Sequence, residues 1–124
     1  MSSPSDVIVI GAGIVGCAVA RELARRGASV AILDERPVGM GATQASAGIL
    51  APYIETQAGN PLFDLTVRSL NLYDDFVADV ASESGLAVTY QRTGTLNVAV
   101  DETAMVALRE WPVALEHRDL HVLQ

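Results

Sequence analysis

Three glycines and one carboxylate carry the strongest chemical signal in this sequence. The glycines Gly11, Gly13 and Gly16 follow a short apolar run, Val7 to Ile10, and Asp34 stands about twenty residues further on, at the end of a second apolar run. Glycines at this spacing permit a sharp turn, close approach of a pyrophosphate to the backbone, and tight packing of a helix on a strand. An acid at this distance accepts hydrogen bonds from a ribose hydroxyl. The pattern indicates dinucleotide binding.

The segments around the glycines must then form a strand, a helix and a second strand. Val7 to Ile10 predicts a buried parallel strand, because its residues are apolar and mostly β-branched. Helical spacing of apolar residues predicts a helix from Ile14 to Arg26 that stops at Gly27, and Ser29 to Leu33 predicts the second strand. A strand–turn–helix that is glycine-rich by chance is the alternative. It leaves the second strand and its terminal carboxylate unexplained.

A run of small residues follows the acid, from Val38 to Pro52. It has little to bury and therefore predicts neither a surface helix nor a strand, and composition alone favours a flexible loop. Its position favours another role. Backbone N–H groups and the hydroxyls of Thr43 and Ser46 can lie along a bulky flat cofactor, because nothing in the run blocks close approach.

Together, VIVIGAGIVG…VAILDE and GATQASAGIL resemble the N-terminal region of the D-amino-acid oxidase superfamily of FAD enzymes, most of all its glycine oxidase and D-amino-acid dehydrogenase members. The resemblance implies that the FAD pyrophosphate lies at Gly11, Gly13, Ile14, Val15 and Gly16. It places the adenosine ribose at Asp34 and Glu35. It implies that the rest of the cofactor lies near Ala42, Thr43, Ala47, Gly48 and Ile49. Two positions depart from the family pattern: Asp34 is more often Glu, and a hydroxyl residue often stands at position 42.

The second half of the chain begins with a predicted long helix, Asn60 to Ser84. Asn60 is a good N-cap, Pro61 suits the first helical position, and Gly85 follows the end. Tyr73 lies beside the apolar stripe of this helix, which favours a packing role over a catalytic one. The stripe consists of Leu62, Leu65, Leu72, Phe76 and Val80.

Two alternating segments follow, Ala87 to Gln91 and Thr95 to Val100, and they predict a β-hairpin. By resemblance this hairpin begins the substrate domain. Arg92 lies in its turn, where a solvated side chain is favoured over a clamp for a substrate carboxylate.

Asp101 can cap a further helix that runs to about Glu110, where Trp111 and Pro112 are expected to break or kink it. Helix and then a strand-like tail are expected from Val113 to Gln124. His117 and His121 have the spacing of a helical metal pair. No third ligand is near them, so solvated histidines are favoured and no metal site is predicted.

Composition limits the classes of function. The 124 residues are 50% hydrophobic with a net charge of −7, which is typical of a globular domain, and the sequence contains no Lys. Nucleic acid and anionic membranes are therefore unsuitable partners. Cys17 is the single cysteine, favours a packing role, and suits a reducing compartment. No positively charged leader precedes the first apolar run, so a cytoplasmic location is expected.

These observations predict an α/β fold: a Rossmann-like FAD-binding βαβ unit, a long helix and the start of an antiparallel substrate-domain sheet. The expected domains are residues 1–84 and 85–124. Because only one βαβ unit is present, the cofactor domain is expected to be incomplete. The expected function is FAD-dependent oxidation of the CH–NH group of glycine or a D-amino acid, as a small-molecule substrate. A nicotinamide-dependent dehydrogenase and a non-catalytic FAD-binding fragment are the alternatives. No catalytic residue is assigned.

Overall fold

The computed structural model describes residues 4–55 and 60–115. The chain divides into two units, Met1–Ile49 and Leu50–Gln124. This division differs from the expected domains, residues 1–84 and 85–124, which stay a prediction.

The first unit is a βαβ structure with an added turn of helix. Its elements are β1 (Val7–Ile10), α1 (Ile14–Arg25), β2 (Val30–Leu33) and α2 (Ala42–Ala45). β1 and β2 pair in parallel, from Val7 opposite Val30 to Ile10 opposite Leu33. The predicted strands and helix are confirmed, with one residue fewer at the end of α1 and at the start of β2.

The short helix α2 corrects the expectation of no helix in the small-residue run. Its turn is closed locally, since the N–H groups of Gln44 and Ala45 donate to the carbonyl of Gly41 at 3.1 and 3.4 Å. A single turn held by its own backbone needs no apolar periodicity, so the sequence pattern could not reveal it.

Gly16 allows α1 to lie directly on the turn and on β1. A Cβ built at Gly16 would collide with the carbonyl oxygen of Gly11 and would stand 3.4 Å from Cγ1 of Val9. The predicted packing role of this glycine is therefore confirmed. Gly27 takes a positive φ of 91° directly after the end of α1, as a C-terminal glycine should.

The face of the sheet that points away from α1 is exposed, which corrects the expectation that β1 is a buried strand. Ile8, Ile10 and Leu33 are 60%, 87% and 56% exposed. The reason is geometric: β1 and β2 form a two-stranded sheet, and α1 covers the face that carries Val9. The expected incompleteness of the sheet is confirmed for the described residues.

The second unit is helical. Its elements are α3 (Pro52–Glu55), α4 (Pro61–Asn71), α5 (Tyr73–Ser84) and α6 (Glu102–Leu115). Phe63 and Val67 on α4 are buried and pack with Tyr53 on α3. The rings of Tyr53 and Phe63 meet edge to face at a centroid distance of 6.1 Å, a favoured aromatic geometry.

The predicted helix from Asn60 to Ser84 is correct at its ends but divided at Leu72. Asn60 Oδ1 accepts from the Leu62 N–H at 2.9 Å, and Gly85 takes a φ of 68° after the last residue. At Leu72 the N–H donates to the Ser69 carbonyl at 3.1 Å, the tighter spacing of a helix end. Asp74 and Asp75 lie in the first turn of α5 and favour a new helix start there, since acids stabilise helix N-termini.

The first three residues of the predicted apolar stripe do not lie on the packed face of the helices. Leu62, Leu65 and Leu72 are 56%, 62% and 58% exposed. The buried positions are Phe63 and Val67, because α4 packs against α3 through that face. Periodicity identified an amphipathic helix and misjudged which side is covered.

The predicted hairpin is not formed: residues 85–100 contain neither helix nor strand. An isolated two-stranded hairpin is marginally stable in water, and this segment instead contacts the helices. The ring of Tyr90 lies 5.8 Å from that of Tyr73, which also packs at 5.8 Å on Phe76, so the packing role of Tyr73 is confirmed. Arg92 is not freely solvated. It pairs with Asp74 at 3.0 Å and donates to the Leu70 carbonyl at 3.4 Å.

The capping role of Asp101 is confirmed, because its Oδ1 accepts from the Ala104 N–H at 2.8 Å. The expected end of the helix near Glu110 is wrong, since α6 continues through Trp111 and Pro112 to Leu115. His117, His121 and the expected strand-like tail lie outside the described residues.

The first prediction follows from the close packing at Gly16. Gly16→Ala should destabilise the chain by about 1–3 kcal/mol, because α1 must move away from Gly11 to admit a methyl group. Helix propensity alone favours Ala over Gly by about 1 kcal/mol and predicts the opposite sign. Chemical denaturation followed by circular dichroism measures the difference. Gly41→Ala is the control, since its φ is −116° and the nearest atom to a Cβ built there, Arg36 Nη1, is 3.8 Å away. A Gly16→Ala variant as stable as Gly41→Ala would contradict the packing role.

Candidate functional site

The turn between β1 and α1 presents backbone rather than side chains. Gly11 has a φ of 103°, and its N–H donates to the Leu33 carbonyl at 2.7 Å, which joins the turn to the end of β2. Gly13 is the N-cap of α1 and has extended backbone. Because glycine has no side chain, the N-cap residue itself gives the helix no side-chain cap. The first N–H groups of a helix have no intrahelical acceptor and lie at its positive dipole end. Such a helix start attracts anions.

Thr43 reaches the same helix start from another element. Its Oγ1 accepts a hydrogen bond from the Ile14 N–H at 2.9 Å. A Cβ built at Gly13 would stand 3.1 Å from the same Oγ1, so a side chain at position 13 would press on it. The absence of a Cβ at Gly13 therefore leaves room for Thr43 at the helix start.

Asp34 connects the turn to the loop that follows β2. Its Oδ2 accepts from the Ala12 N–H at 2.7 Å, and its Oδ1 accepts from the Arg36 N–H at 2.8 Å. These two bonds, the Ala12 bond first, hold the pKa of Asp34 below its usual value and outweigh desolvation, which raises it. The charge of Arg36 adds a smaller lowering of this pKa. The carboxylate is therefore ionised at neutral pH.

The loop after β2 is fixed to the turn at a further point. The Gly39 N–H donates to the Ala12 carbonyl at 2.9 Å. Gly39 lies between Asp34 and Thr43 along the chain. Cys17 donates from Sγ to the same carbonyl at 3.6 Å, which supports the packing role expected for this thiol. The small-residue run is thus a wall held against the glycine turn rather than a free loop.

The turn and the wall border an open cleft of about 450 Å³. Most of its lining residues are ones that the sequence selected: Gly13, Ile14, Val15, Asp34, Ala42, Thr43 and Ser46. Gly11 and Gly16 shape the turn behind it. The structure adds four lining residues that the sequence analysis did not name: Arg36, Gly39, Met40 and Gly41. The last three belong to the small-residue run that was predicted to lie along a cofactor, and the only signal for Arg36 was its place two residues after Asp34.

The remaining predicted site residues do not line this cleft. Glu35 pairs with Arg36 at 3.3 Å and its side chain is 81% exposed. Ala47, Gly48 and Ile49 continue past the cleft in exposed chain, where the Gly48 N–H donates to Ser46 Oγ at 3.1 Å. Their assignment as cofactor contacts stays a prediction.

The chemistry of the donors and acceptors fits a dinucleotide. A helix start and a hydroxyl offer hydrogen bonds to phosphate, and an ionised carboxylate offers acceptors to a ribose. Within residues 4–55 and 60–115, no group of three His, Cys, Asp or Glu side chains is arranged to hold a metal ion. Among the helices in those ranges, none has the length and apolar character needed to cross a membrane.

Comparisons with known proteins agree with this geometry. The family model described as FAD dependent oxidoreductase (DAO) matches residues 6–123. A glycine oxidase from Geobacillus kaustophilus is 30% identical over 102 residues, which are 82% of this chain and 27% of that protein. A glycerol 3-phosphate dehydrogenase from Caloramator mitchellensis is 31% identical over 104 residues, which are 83% of this chain and 20% of that protein. The crystal structure of the Geobacillus glycine oxidase matches with a TM-score of 0.83 at 28% identity, over 90% of this chain and 30% of that one.

The parallel βαβ unit, its glycine turn and its terminal acid define a dinucleotide-binding class of protein. Within that class, the chain belongs to the DAO family of FAD-dependent oxidoreductases, because the family model matches nearly its whole length. It spans less than a third of the length of the relatives described above.

The Asp34 bonds make the second prediction. Because the pKa of Asp34 is lowered in the folded chain, its stabilising bonds are complete above about pH 4 and are lost as the pH falls through the lowered pKa. The amide resonances of Ala12 and Arg36 should therefore shift together in an NMR titration, with a midpoint below about pH 3.9.

Asp34→Asn should abolish both shifts. The Ser29 amide, which bonds to the Asp6 carboxylate at 2.8 Å, should be unaffected by this substitution and is the control. A midpoint at or above the ordinary aspartate value would show that the two bonds do not form.

Proposed function

We propose that this chain is the FAD-binding N-terminal part of an oxidoreductase that oxidises the CH–NH group of glycine or of D-amino acids. The observation that carries the proposal is the meeting of the α1 start, Asp34 and Thr43 around one cleft. The similarity to glycine oxidase in sequence and fold supports the reaction class. FAD, when bound, supplies the acceptor for the hydride from the substrate carbon, and this chain's residues bind and orient it.

The pyrophosphate is proposed to lie at the start of α1. Gly13 leaves backbone accessible there, and the Val15 and Gly16 N–H groups belong to the first turn of the helix. Thr43 accepts from the Ile14 N–H and so keeps its own hydroxyl hydrogen as a donor. That hydrogen can bond a phosphate oxygen while Thr43 still caps the helix.

The ribose is proposed to bind Asp34. Each oxygen of the carboxylate uses one acceptor position on a backbone N–H, and an ionised carboxylate has about four such positions. Acceptor capacity therefore remains for ribose hydroxyls. Glu35 lies next to it with an exposed carboxylate and is proposed as a second acceptor. Ala42, Ser46 and the exposed stretch from Ala47 to Ile49 are proposed to continue along the cofactor.

A second candidate substrate class has its own support. The glycerol 3-phosphate dehydrogenase relative is 31% identical, a value close to that of the glycine oxidase, and its name indicates oxidation of an alcohol rather than an amine. Family membership supports FAD over a nicotinamide in either case. A non-catalytic FAD-binding role is the third possibility. We retain an amine or amino-acid substrate and a cytoplasmic location as proposals.

FAD binding makes the third prediction. Gly13→Val should abolish binding, because its Cβ would stand 3.1 Å from Thr43 Oγ1 and its methyl groups would enter the cleft. Asp34→Ala should weaken binding by about tenfold or more, since it removes a charge-assisted acceptor. Fluorescence titration with FAD measures both. Ala45→Val is the control, because Ala45 is exposed and outside the cleft lining. Unchanged affinity in both cleft variants would exclude the site.

Activity makes the fourth prediction. These 124 residues alone should produce no peroxide from glycine, sarcosine or D-alanine above the rate of free FAD. Catalysis requires a substrate held about 3–3.5 Å from the reacting atom, and every site residue assigned in this chain lies on the cofactor side. Peroxide from the isolated chain would mean that a catalytic group has been overlooked. Oxidation of glycerol 3-phosphate but not of amines by the full-length polypeptide that carries these residues would select the second candidate.

A further inference from the structure

The division between α4 and α5 at Leu72 is not explained by the local sequence alone. Residues 62–84 contain neither proline nor glycine, the residues that most disfavour a helix interior. Asp74 and Asp75 favour a helix start there, but acids are also tolerated inside helices. Leu72 has φ −87° and ψ −7°, in the right-handed helical region, so a small backbone change separates the divided helix from a continuous one. This points to a contact from elsewhere in the chain as the cause.

Arg92 places its guanidinium at this division. Its Nη2 donates to the Leu70 carbonyl at 3.4 Å, and its Nη1 pairs with Asp74 Oδ2 at 3.0 Å. In a continuous α-helix the Leu70 carbonyl accepts from the N–H of Asp74, four residues further on. One guanidinium therefore binds both residues that this helical bond would join. A side chain inserted into the helical hydrogen-bond ladder is a recognised cause of a kink.

Tyr90 brings the same segment of chain against the start of α5. Its ring centroid lies 5.8 Å from that of Tyr73, the first residue of α5. The Tyr90 hydroxyl oxygen is buried and has no hydrogen-bond partner among the described residues, so this contact depends on ring packing. Tyr90 and Arg92 thus hold the segment on both sides of the division.

We propose that Arg92 is a latch that divides the helix at Leu72, and that residues 61–84 form a two-state element. The element is divided while Arg92 is bound and continuous when Arg92 is released. The Arg92 and Asp74 side chains are 48% and 52% exposed, so their ion pair is weak and is screened by salt. Salt therefore releases the latch. The inference concerns the second unit by itself and does not depend on FAD binding.

The test is amide hydrogen exchange at Tyr73 and Asp74, followed by NMR in the full chain of 124 residues. In a continuous helix these N–H groups donate to the carbonyls of Ser69 and Leu70. Arg92→Ala should therefore slow their exchange about two- to fivefold, the range of a surface ion pair, although it removes two contacts. A contact that only stabilises the unit predicts faster exchange in the same variant.

Two further variants separate geometry from charge. Arg92→Lys keeps the charge but lacks the planar fork that reaches a carbonyl and a carboxylate together, so it should slow exchange less than Arg92→Ala does. Tyr90→Phe should leave exchange unchanged, because the hydroxyl has no partner among the described residues. High salt should slow exchange at Tyr73 and Asp74 in the unsubstituted chain relative to Arg92→Ala.

Arg68→Ala is the matched control. Arg68 is exposed and lies in the last turn of α4. Its substitution removes one positive charge near the division and leaves Arg92 and Asp74 in place. Exchange at Tyr73 and Asp74 should be the same as in the unsubstituted chain.

Each outcome decides for or against the latch. Slower exchange in Arg92→Ala, with Cα chemical shifts of Leu72 and Tyr73 that move toward helical values, supports it. Unchanged or faster exchange overturns it, and so does equal slowing in Arg68→Ala, which would assign the effect to net charge. If circular dichroism shows that Arg92→Ala has lost helix, the salt series on the unsubstituted chain decides: exchange that does not slow at high salt overturns the proposal.

Discussion

The pair of hydrogen bonds made by Asp34 holds the first unit in its site-forming arrangement. The carboxylate links the Ala12 N–H of the glycine turn to the Arg36 N–H of the following loop. Two further hydrogen bonds join the small-residue wall to the turn and the start of α1. The Gly39 N–H donates to the Ala12 carbonyl, and Thr43 Oγ1 accepts from the Ile14 N–H. One side chain thus organises the site and is also the proposed ribose ligand. The two roles are compatible because a carboxylate has more acceptor positions than the backbone uses.

Backbone groups and side chains make different contributions to the cleft. The glycine turn and the start of α1 offer N–H groups, which recognise phosphate in any dinucleotide and carry little specificity. Asp34, Arg36, Thr43 and Ser46 are the polar side chains of the cleft lining. Family membership indicates FAD, and the residues that line the cleft are the ones proposed to bind it.

The second unit depends on aromatic and helical contacts of modest extent. Phe63 and Val67 are its buried hydrophobic residues among those described, and Tyr53 packs on them. Arg92 joins the following segment to the division between α4 and α5 through Asp74 and the Leu70 carbonyl, two groups that belong to different helices. Both side chains of the Arg92–Asp74 pair are about half exposed, so the contact orients the segment more than it stabilises the fold.

The sequence by itself determined the features that depend on local rules. The βαβ order, the N-cap at Asn60, the cap at Asp101 and the glycine ends of α1 and α5 follow from backbone geometry at single residues, and the structure confirms each. Tertiary contacts decided the rest. Periodicity cannot show which helix face finds a neighbour, so the predicted stripe includes the exposed Leu62 and Leu65 and omits the buried Phe63 and Val67. Alternation predicted strands between Ala87 and Val100, but an isolated hairpin is marginally stable, and the described residues contain no strand other than β1 and β2. Arg36 entered the site only through folding, because its backbone is fixed by a hydrogen bond to Asp34 and its guanidinium lies beside Gly41.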